Sequence, residues 1–479
     1  MALDEKVSYR ELHEQFVTNL NGTTSVETFF AATPNYFTVL LVCLLAIRTE
    51  KEHSSSKFQV FCIEFITLVG TAILSCTVFS NNIPPLVITL FIVCSSTYLY
   101  KKQQISLSNS YQKFPQLTTP THHKCYITNF RALINMLACV SILAVDFKIF
   151  PRRFAKTETF GYSPMDAGVG LFCISNSVIV PSAILHKRIE TNSCFKDALI
   201  KTLKSCIPLV LLGGARFFTT TQVDYQLHIS EYGVHWNFFL TLAACKLISF
   251  FISRVFGTKC SLVTSLIVIT VHEIILYKGL QKWVLSDISR DSFLTANREG
   301  IASSLGYVAL FMAGMGIGNL MYCESNTIGD LIVLVKKFTL FSVFLWTTSF
   351  ACQDCLIVSR RLANFGYYMW ILTFSVTTLT VFMIIDLFLQ TLKLSSVTKT
   401  EMGVTKDSEG HVPILFNAIN YNGLAFFLIA NVFTGLINLS IQTLWVNDMC
   451  SVIIIFLYAF VISAITFLLY CKNIQLKAW

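Results

Sequence analysis

The segment Met449-Cys-Ser-Val-Ile-Ile-Ile-Phe-Leu-Tyr-Ala-Phe-Val-Ile-Ser-Ala-Ile-Thr-Phe-Leu-Leu-Tyr-Cys471 contains no charged side chain. About 20 mainly apolar residues are enough for an α-helix to cross the hydrocarbon of a bilayer. This run reaches that length, and the pattern recurs along the chain. Working back from it, apolar runs fall at Ile414–Leu439, Ala363–Leu387, Phe338–Val358, Ile301–Tyr322, Cys260–Tyr277, Val234–Phe256 and Ala198–Phe218. Earlier ones are Ser163–Leu185, Tyr126–Phe147, Ile83–Tyr100, Phe58–Phe79 and Thr28–Ile47. Together they make about thirteen spans. Ile328–Val335 is too short to span and is expected at the interface.

Composition agrees. Of 479 residues, 54% are hydrophobic and only 13% are charged, and the mean hydropathy is +0.62. A soluble domain carries about 25% charged residues. A disordered chain, a fibrous protein and an ordinary cytosolic enzyme are therefore excluded. The expected fold is all-α: a polytopic integral membrane bundle forming a single domain over 1–479. Residues 1–27 would be an amphipathic segment, with Val7, Leu12 and Phe16 on one helical face. It has no cleavable signal pattern, so the first span is expected to act as the targeting signal. No repeat of inverted halves is visible, which weighs against a secondary transporter of organic anions or lipids.

An odd number of spans puts the termini on opposite sides. The positive-inside rule then sets the orientation. With the N-terminus luminal and the C-terminus cytosolic, the inner loops, including 101–124 and 389–413, hold most of the basic loop residues of a chain with net charge +9. Some basic residues break the rule. Lys148, Arg152, Arg153 and Lys156 form one group, Arg290 and Arg298 a second, and Arg360 and Arg361 a third. Pairing with carboxylates would explain them, and so would an anionic group bound on that side, since a guanidinium donates two parallel hydrogen bonds to phosphate.

The polar strings sit at the ends of spans. In Ala144-Val-Asp-Phe-Lys-Ile-Phe-Pro-Arg-Arg-Phe-Ala-Lys156, Asp146 is a carboxylate at the membrane edge, where such groups face a cavity or a partner. It suits a general base for a hydroxyl. Lys156 could pair with it or stabilise an oxyanion. A structural Asp–Lys or Asp–Arg tie is the plain alternative. In Glu231-Tyr-Gly-Val-His-Trp-Asn-Phe-Phe239, Glu231 and His235 stand four residues apart, within reach if the helix starts early enough. Such a carboxylate would orient the imidazole as a base. Tyr232 and Asn237 are candidate ligand contacts. So are Asn297, Arg298 and Glu299 in Ser292–Gly300, and Arg360, Arg361 and Asn364 in Ser359–Asn364. Asn431 and Asn438 lie one heptad apart and read at least as well as polar glue between helices.

Gly168, Val169 and Gly170 give one helix a narrow surface, for close packing or for an acyl-chain slot. Charged residues inside spans, among them Glu64, Arg131, Asp166 and Glu273, are expected to pair between helices. His272-Glu273 lacks the second histidine of a zinc protease, since Leu276 occupies that position. Most of the 16 cysteines lie in apolar runs as small hydrophobes, and no metal site is expected. Asn21-Gly22-Thr23 is a glycosylation sequon, close to the first span.

The runs Ala144–Lys156, Met165–Gly170, Glu231–Phe239, Ser292–Gly300, Ser359–Asn364 and Asn422–Gly435 resemble the GPI-anchored wall transfer protein family of fungi, whose mammalian counterpart is PIG-W. The resemblance covers nearly the whole chain. It implies a multi-pass acyltransferase of the endoplasmic reticulum membrane and an antifungal target. The implied reaction moves an acyl chain, commonly palmitoyl, from acyl-CoA to the inositol 2-hydroxyl of glucosaminyl-phosphatidylinositol, in GPI-anchor biosynthesis. Palmitoyl-CoA is then a co-substrate and no resident cofactor is expected. The partners are the two substrates and membrane lipid, with no nucleic acid and no obligate protein partner. A non-enzymatic assembly factor of the same pathway is the competing expectation, as is an acyltransferase with a different acceptor.

Overall fold

The computed structural model describes residues 9, 11–12, 15–18, 20–46, 56–104, 124–181, 195–222, 229–323, 327–396 and 412–476. Among them the regular structure is helical. In chain order the helices are α1 Ser25–Ala46, α2 Lys57–Cys76, α3 Ile83–Gln104, α4 Cys125–Ala144, α5 Pro164–Ser177, α6 Phe195–Gln222, α7 Ile229–Tyr232 and α8 Phe238–Phe256. There follow α9 Thr258–Leu285, α10 Phe293–Ala296, α11 Arg298–Cys323, α12 Ile328–Ala351, α13 Phe365–Ser396, α14 Ile414–Tyr421, α15 Gly423–Ser440 and α16 Asp448–Cys471. In lipid a backbone must satisfy its own polar groups, so long apolar runs fold as helices.

Among the described residues, eleven helices are long and apolar enough to cross a membrane, against an expectation of about thirteen. Helix α5 has 14 residues, about 21 Å at 1.5 Å per residue, short of the roughly 30 Å of hydrocarbon. Part of the run expected there, 182–185, lies outside the described residues. Helix α12 is 24 residues long but carries Lys336 and Lys337. It absorbs Ile328–Val335, expected as a separate interfacial piece, and it ends at Ala351 rather than Val358. The expected span Ile414–Leu439 is broken into α14 and α15 at Asn422 (φ −128°, ψ 43°). The Asn422 amide donates to the Ile474 carbonyl at 2.9 Å and accepts from the Leu476 N–H at 2.8 Å. The loop expected at 389–413 starts later, because α13 continues to Ser396. Residues 105–123 and 397–411 of the two expected inner loops lie outside the described residues.

Helix α11 forms the middle of the bundle and is almost wholly buried. Its small residues explain how neighbours reach it. A Cβ at Gly306 would collide with the Ala363 carbonyl, and one at Gly314 with the Ser177 hydroxyl. Helices α3, α6 and α15 are the least buried of the spans.

The two ends of the bundle differ. At one end Thr23 N–H donates to Tyr162 O (2.7 Å), Gly161 N–H to Val358 O (3.0 Å), and Arg153 to Glu27 (2.8 Å) and Asn81 (2.7 Å). These contacts join the starts of α1 and α13 to the α2–α3 and α4–α5 connections. At the other end Glu64 accepts from the N–H groups of Ile414 (2.9 Å) and Leu415 (2.7 Å), a carboxyl group that caps a helix N-terminus.

Two glycines make opposite predictions. Gly306→Ala should destabilise the bundle by roughly 1–3 kcal/mol through overpacking, whereas Gly214→Ala, with open space beside it, should be neutral or slightly stabilising. Thermal unfolding in detergent measures both, and an equal response would contradict the packing described.

Candidate active site

The α4–α5 connection begins where α4 stops at Ala144. Pro151 opens a 3₁₀ turn over Arg152–Phe154, and buried Phe147, Phe150 and Phe154 anchor it in the core. Arg152 folds back and donates to the carbonyls of Val145 (2.7 Å) and Phe150 (3.1 Å), groups a helix end leaves open. Its guanidinium lies 3.8 Å from the centre of the Phe16 ring, a cation–π contact. Burial lowers it to about 10, with Asp146 acting against that, so it stays cationic at neutral pH.

Beyond this turn Thr157 meets the start of α5. The Asp166 carboxylate, fully buried, accepts from Thr157 N–H (3.0 Å), Thr157 Oγ1 (2.7 Å) and Ser163 Oγ (2.9 Å). Its other oxygen takes Arg360 Nε at 2.6 Å. Arg360 Nη2 reaches Glu231 Oε1 at 3.6 Å, and the same oxygen holds Lys156 Nζ at 2.5 Å. Asp166, Arg360, Glu231 and Lys156 thus form a continuous chain of alternating charge. Burial would raise the Glu231 carboxyl, but Lys156 and Arg360 overcome it and hold it down at about 2. Burial would lower Arg360, and Glu231 and Asp166 push it up instead. Burial raises the Tyr232 hydroxyl, as does Glu231, so it remains protonated.

The chain ends at a cavity of about 810 Å³ between α1, α2, α4, α5, α6, α8, α13 and α15, within the size range of small-molecule sites. Asp146, Arg152, Lys156, Arg216, Glu231 and His235 are among the residues that line it, with Phe130, Leu133, Leu137, Phe172, Phe239 and Phe427. Asp146 accepts from Asn438 Nδ2 at 2.7 Å.

Of the residues singled out by sequence, Asp146, Arg152, Lys156, Glu231, Tyr232, His235, Asn237, Gly168 and Val169 line this cavity. Two expected pairings are corrected. Lys156 pairs with Glu231, not with Asp146, because the 3₁₀ turn between them carries the chain across to α7. Glu231 and His235 do not pair, because α7 ends at Tyr232 and the chain turns at Gly233 (φ 107°). A Cβ at Gly233 would lie 2.5 Å from both Ala296 O and Asn297 Cα, a left-handed turn that only glycine fits. Asn297 Oδ1 holds the turn by accepting from the N–H groups of His235 (2.7 Å) and Trp236 (2.9 Å). That commits its Nδ2 to face His235 Nδ1, at 3.4 Å. In the neutral ring Nδ1 is then the acceptor and the proton sits on Nε2. His235 is exposed, with its ring 5.0 Å from that of Phe217.

The other expected contacts lie outside the cavity wall. Glu299, fully buried, gathers Arg290 (2.6 Å), Arg361 (3.1 Å) and Arg298 (3.5 Å). Arg153 is held by Glu27, Asn81 and the Ser80 carbonyl. Asn364 caps the α13 turn, accepting from Ser359 N–H (3.0 Å) and Tyr367 N–H (3.1 Å). Asn237 lines the cavity, yet its oxygen caps α8 and its nitrogen donates to Gly213 O. Gly170 packs against α13, where a Cβ would meet Ile371 at 2.8 Å, whereas a Cβ at Gly168 would meet nothing within 4 Å. Asn21 is exposed, while the Thr23 hydroxyl of its sequon donates to Glu27.

Sequence reasoning passed over Asp166 as one more intramembrane charge, and it did not single out Arg216. The available signal for Asp166 was Ser163-Pro164 before it, a helix start that buries the next carboxylate. Nothing in the local sequence marks Arg216.

Residues 9–469 match the family model GWT1. The chain belongs to the GWT1 family. GPI-anchored wall transfer protein 1 of Saccharomyces cerevisiae is 32% identical over 98% of this chain and 99% of its own length. The protein of that name in Gibberella zeae is 30% identical, over 99% and 100%. The human glucosaminyl-phosphatidylinositol-acyltransferase PIGW is 30% identical, also over 99% and 100%. The resemblance carried by the polar strings is therefore a relationship over the full chain of a GWT1-family membrane protein.

Asp166→Asn should lower stability by roughly 3–5 kcal/mol, since it removes the nearer of the two counter-charges of a buried guanidinium; thermal unfolding in detergent reads it. A second expectation concerns pH. The folded Glu231 carboxyl lies below its ordinary value of 4.5, so its contribution is present above that value and is lost as pH falls towards about 2. Glu231→Gln should flatten that acid limb of stability.

Proposed function

We propose that this protein transfers a long acyl chain from acyl-CoA to the inositol 2-hydroxyl of glucosaminyl-phosphatidylinositol, in the endoplasmic reticulum membrane. The names of its full-length relatives support the reaction class and acceptor. The observation that carries the reading is the cavity itself, whose largely apolar lining includes Asp146 and Lys156.

The acyl chain lies along the apolar lining beside Gly168 and Val169. Asp146 takes the proton of the inositol hydroxyl as its oxygen attacks the thioester carbon. Lys156 stabilises the oxyanion that forms. The intermediate collapses, the carbon–sulfur bond breaks, and the CoA thiolate takes the proton back from Asp146. The products are the inositol ester and free CoA. His235, with its proton on Nε2, donates a hydrogen bond into the cavity instead of acting as the base. Arg152 and Arg216 supply positive charge for the acceptor's phosphodiester. The end of the bundle that carries these groups faces the lumen.

Asp146→Asn and Lys156→Ala, purified and assayed with labelled acyl-CoA, should each lose at least about a hundredfold in turnover, the scale of one general base or oxyanion donor. Near-normal turnover by either would remove that residue from the mechanism. Gly168→Leu should shift acyl preference towards shorter chains without loss of stability, since the new side chain enters open space. An unchanged chain-length profile would move the acyl chain elsewhere.

A further inference from the structure

We infer that Glu231 is a positioning residue that fixes the Lys156 ammonium at the cavity wall, with Arg360 and Asp166 as its anchor. The inference rests on the acyl-transfer reading and deepens it. Lysine is a point charge on a flexible four-carbon stem, and the Lys156 side chain is 40% exposed, so packing alone does not set where its charge sits. One ion pair does, at 2.5 Å to Glu231 Oε1.

Glu231 is itself well fixed. It lies in α7, whose exit turn at Gly233 locks onto Ala296 and Asn297 through Val234 N–H to Ala296 O at 2.9 Å. Its charged oxygen also faces Arg360, which is buried and held at 2.6 Å by Asp166. Asp166 has three further donors, so the rigidity of the core passes through Arg360 to Glu231 and on to Lys156. With its charge facing Lys156, Arg360 and Arg216, Glu231 has little to offer a neutral hydroxyl. It acts on the reaction through Lys156 and not by touching the acceptor.

The test is a mutant cycle in purified full-length protein, using labelled acyl-CoA so that residual transfer is counted. Glu231→Gln keeps the shape and removes the anion. It should lower kcat about tenfold or more while KM for the lipid acceptor changes less than about twofold. Glu231→Asp keeps the charge and should recover most of that rate. In a Lys156→Met background, Glu231→Gln should add no further loss, because residues acting as one unit are non-additive. A rise in KM with kcat preserved would overturn the inference in favour of direct acceptor binding. Equal losses in both backgrounds, or equal losses for Gln and Asp, would overturn it in favour of a purely structural role. Wild-type protein that transfers no acyl group would instead sink the acyl-transfer reading, and would do so before any variant is compared.

Discussion

The buried pair between Arg360 and Asp166 supports everything around it. Two opposite charges taken out of water attract strongly only when the remaining hydrogen-bonding capacity of each is also met. Asp166 meets that condition with Thr157 and Ser163. The Arg360 guanidinium also faces the Glu231 carboxylate at 3.6 Å, a second counter-charge, while its backbone carbonyl accepts from Tyr307. The pair therefore ties the α4–α5 connection, the start of α5, the turn before α13 and helix α7 into one piece. Residues 157–166, 231 and 360 are far apart in sequence, and no single helix could hold them in register.

The same condition accounts for most of the basic residues that the sequence set apart by the positive-inside count. Arg153, Arg290, Arg298, Arg360 and Arg361 all face carboxylates within the protein. Glu299 alone gathers three of them. Their charge is largely neutralised where it stands. Three cations line the cavity, Arg152, Lys156 and Arg216, and Lys156 is itself paired with Glu231, which narrows an anion-binding reading from three groups of residues to one cavity.

Close packing and an open cavity coexist because a helix turns about 100° per residue. Gly170 faces α13 and has no room for a side chain. Gly168, two residues earlier, points the other way into the cavity with room to spare. Both readings offered by the small-residue surface are therefore true, each for a different glycine. A stripe of residue names could not separate them, since glycine is written the same way in a contact and in a void.

The sequence by itself determined the class of fold, because hydrocarbon demands runs of apolar residues and self-satisfied backbone, and both are local properties. It also placed Asp146, Lys156, Glu231 and His235 in polar strings at span ends, which the fold gathers at one cavity. The breaks were less legible. Asn422 interrupts an apolar run through bonds to Ile474 and Leu476, and the short α5 looks like the start of a longer span. Tertiary structure alone decided the partners. Spacing suggested Glu231 with His235 and Asp146 with Lys156. The left-handed turn at Gly233 and the 3₁₀ turn at Pro151 redirect the chain, so Glu231 takes Lys156 and Arg360 instead. Ion pairs are set by where backbones pass in space, and that depends on helices hundreds of residues away.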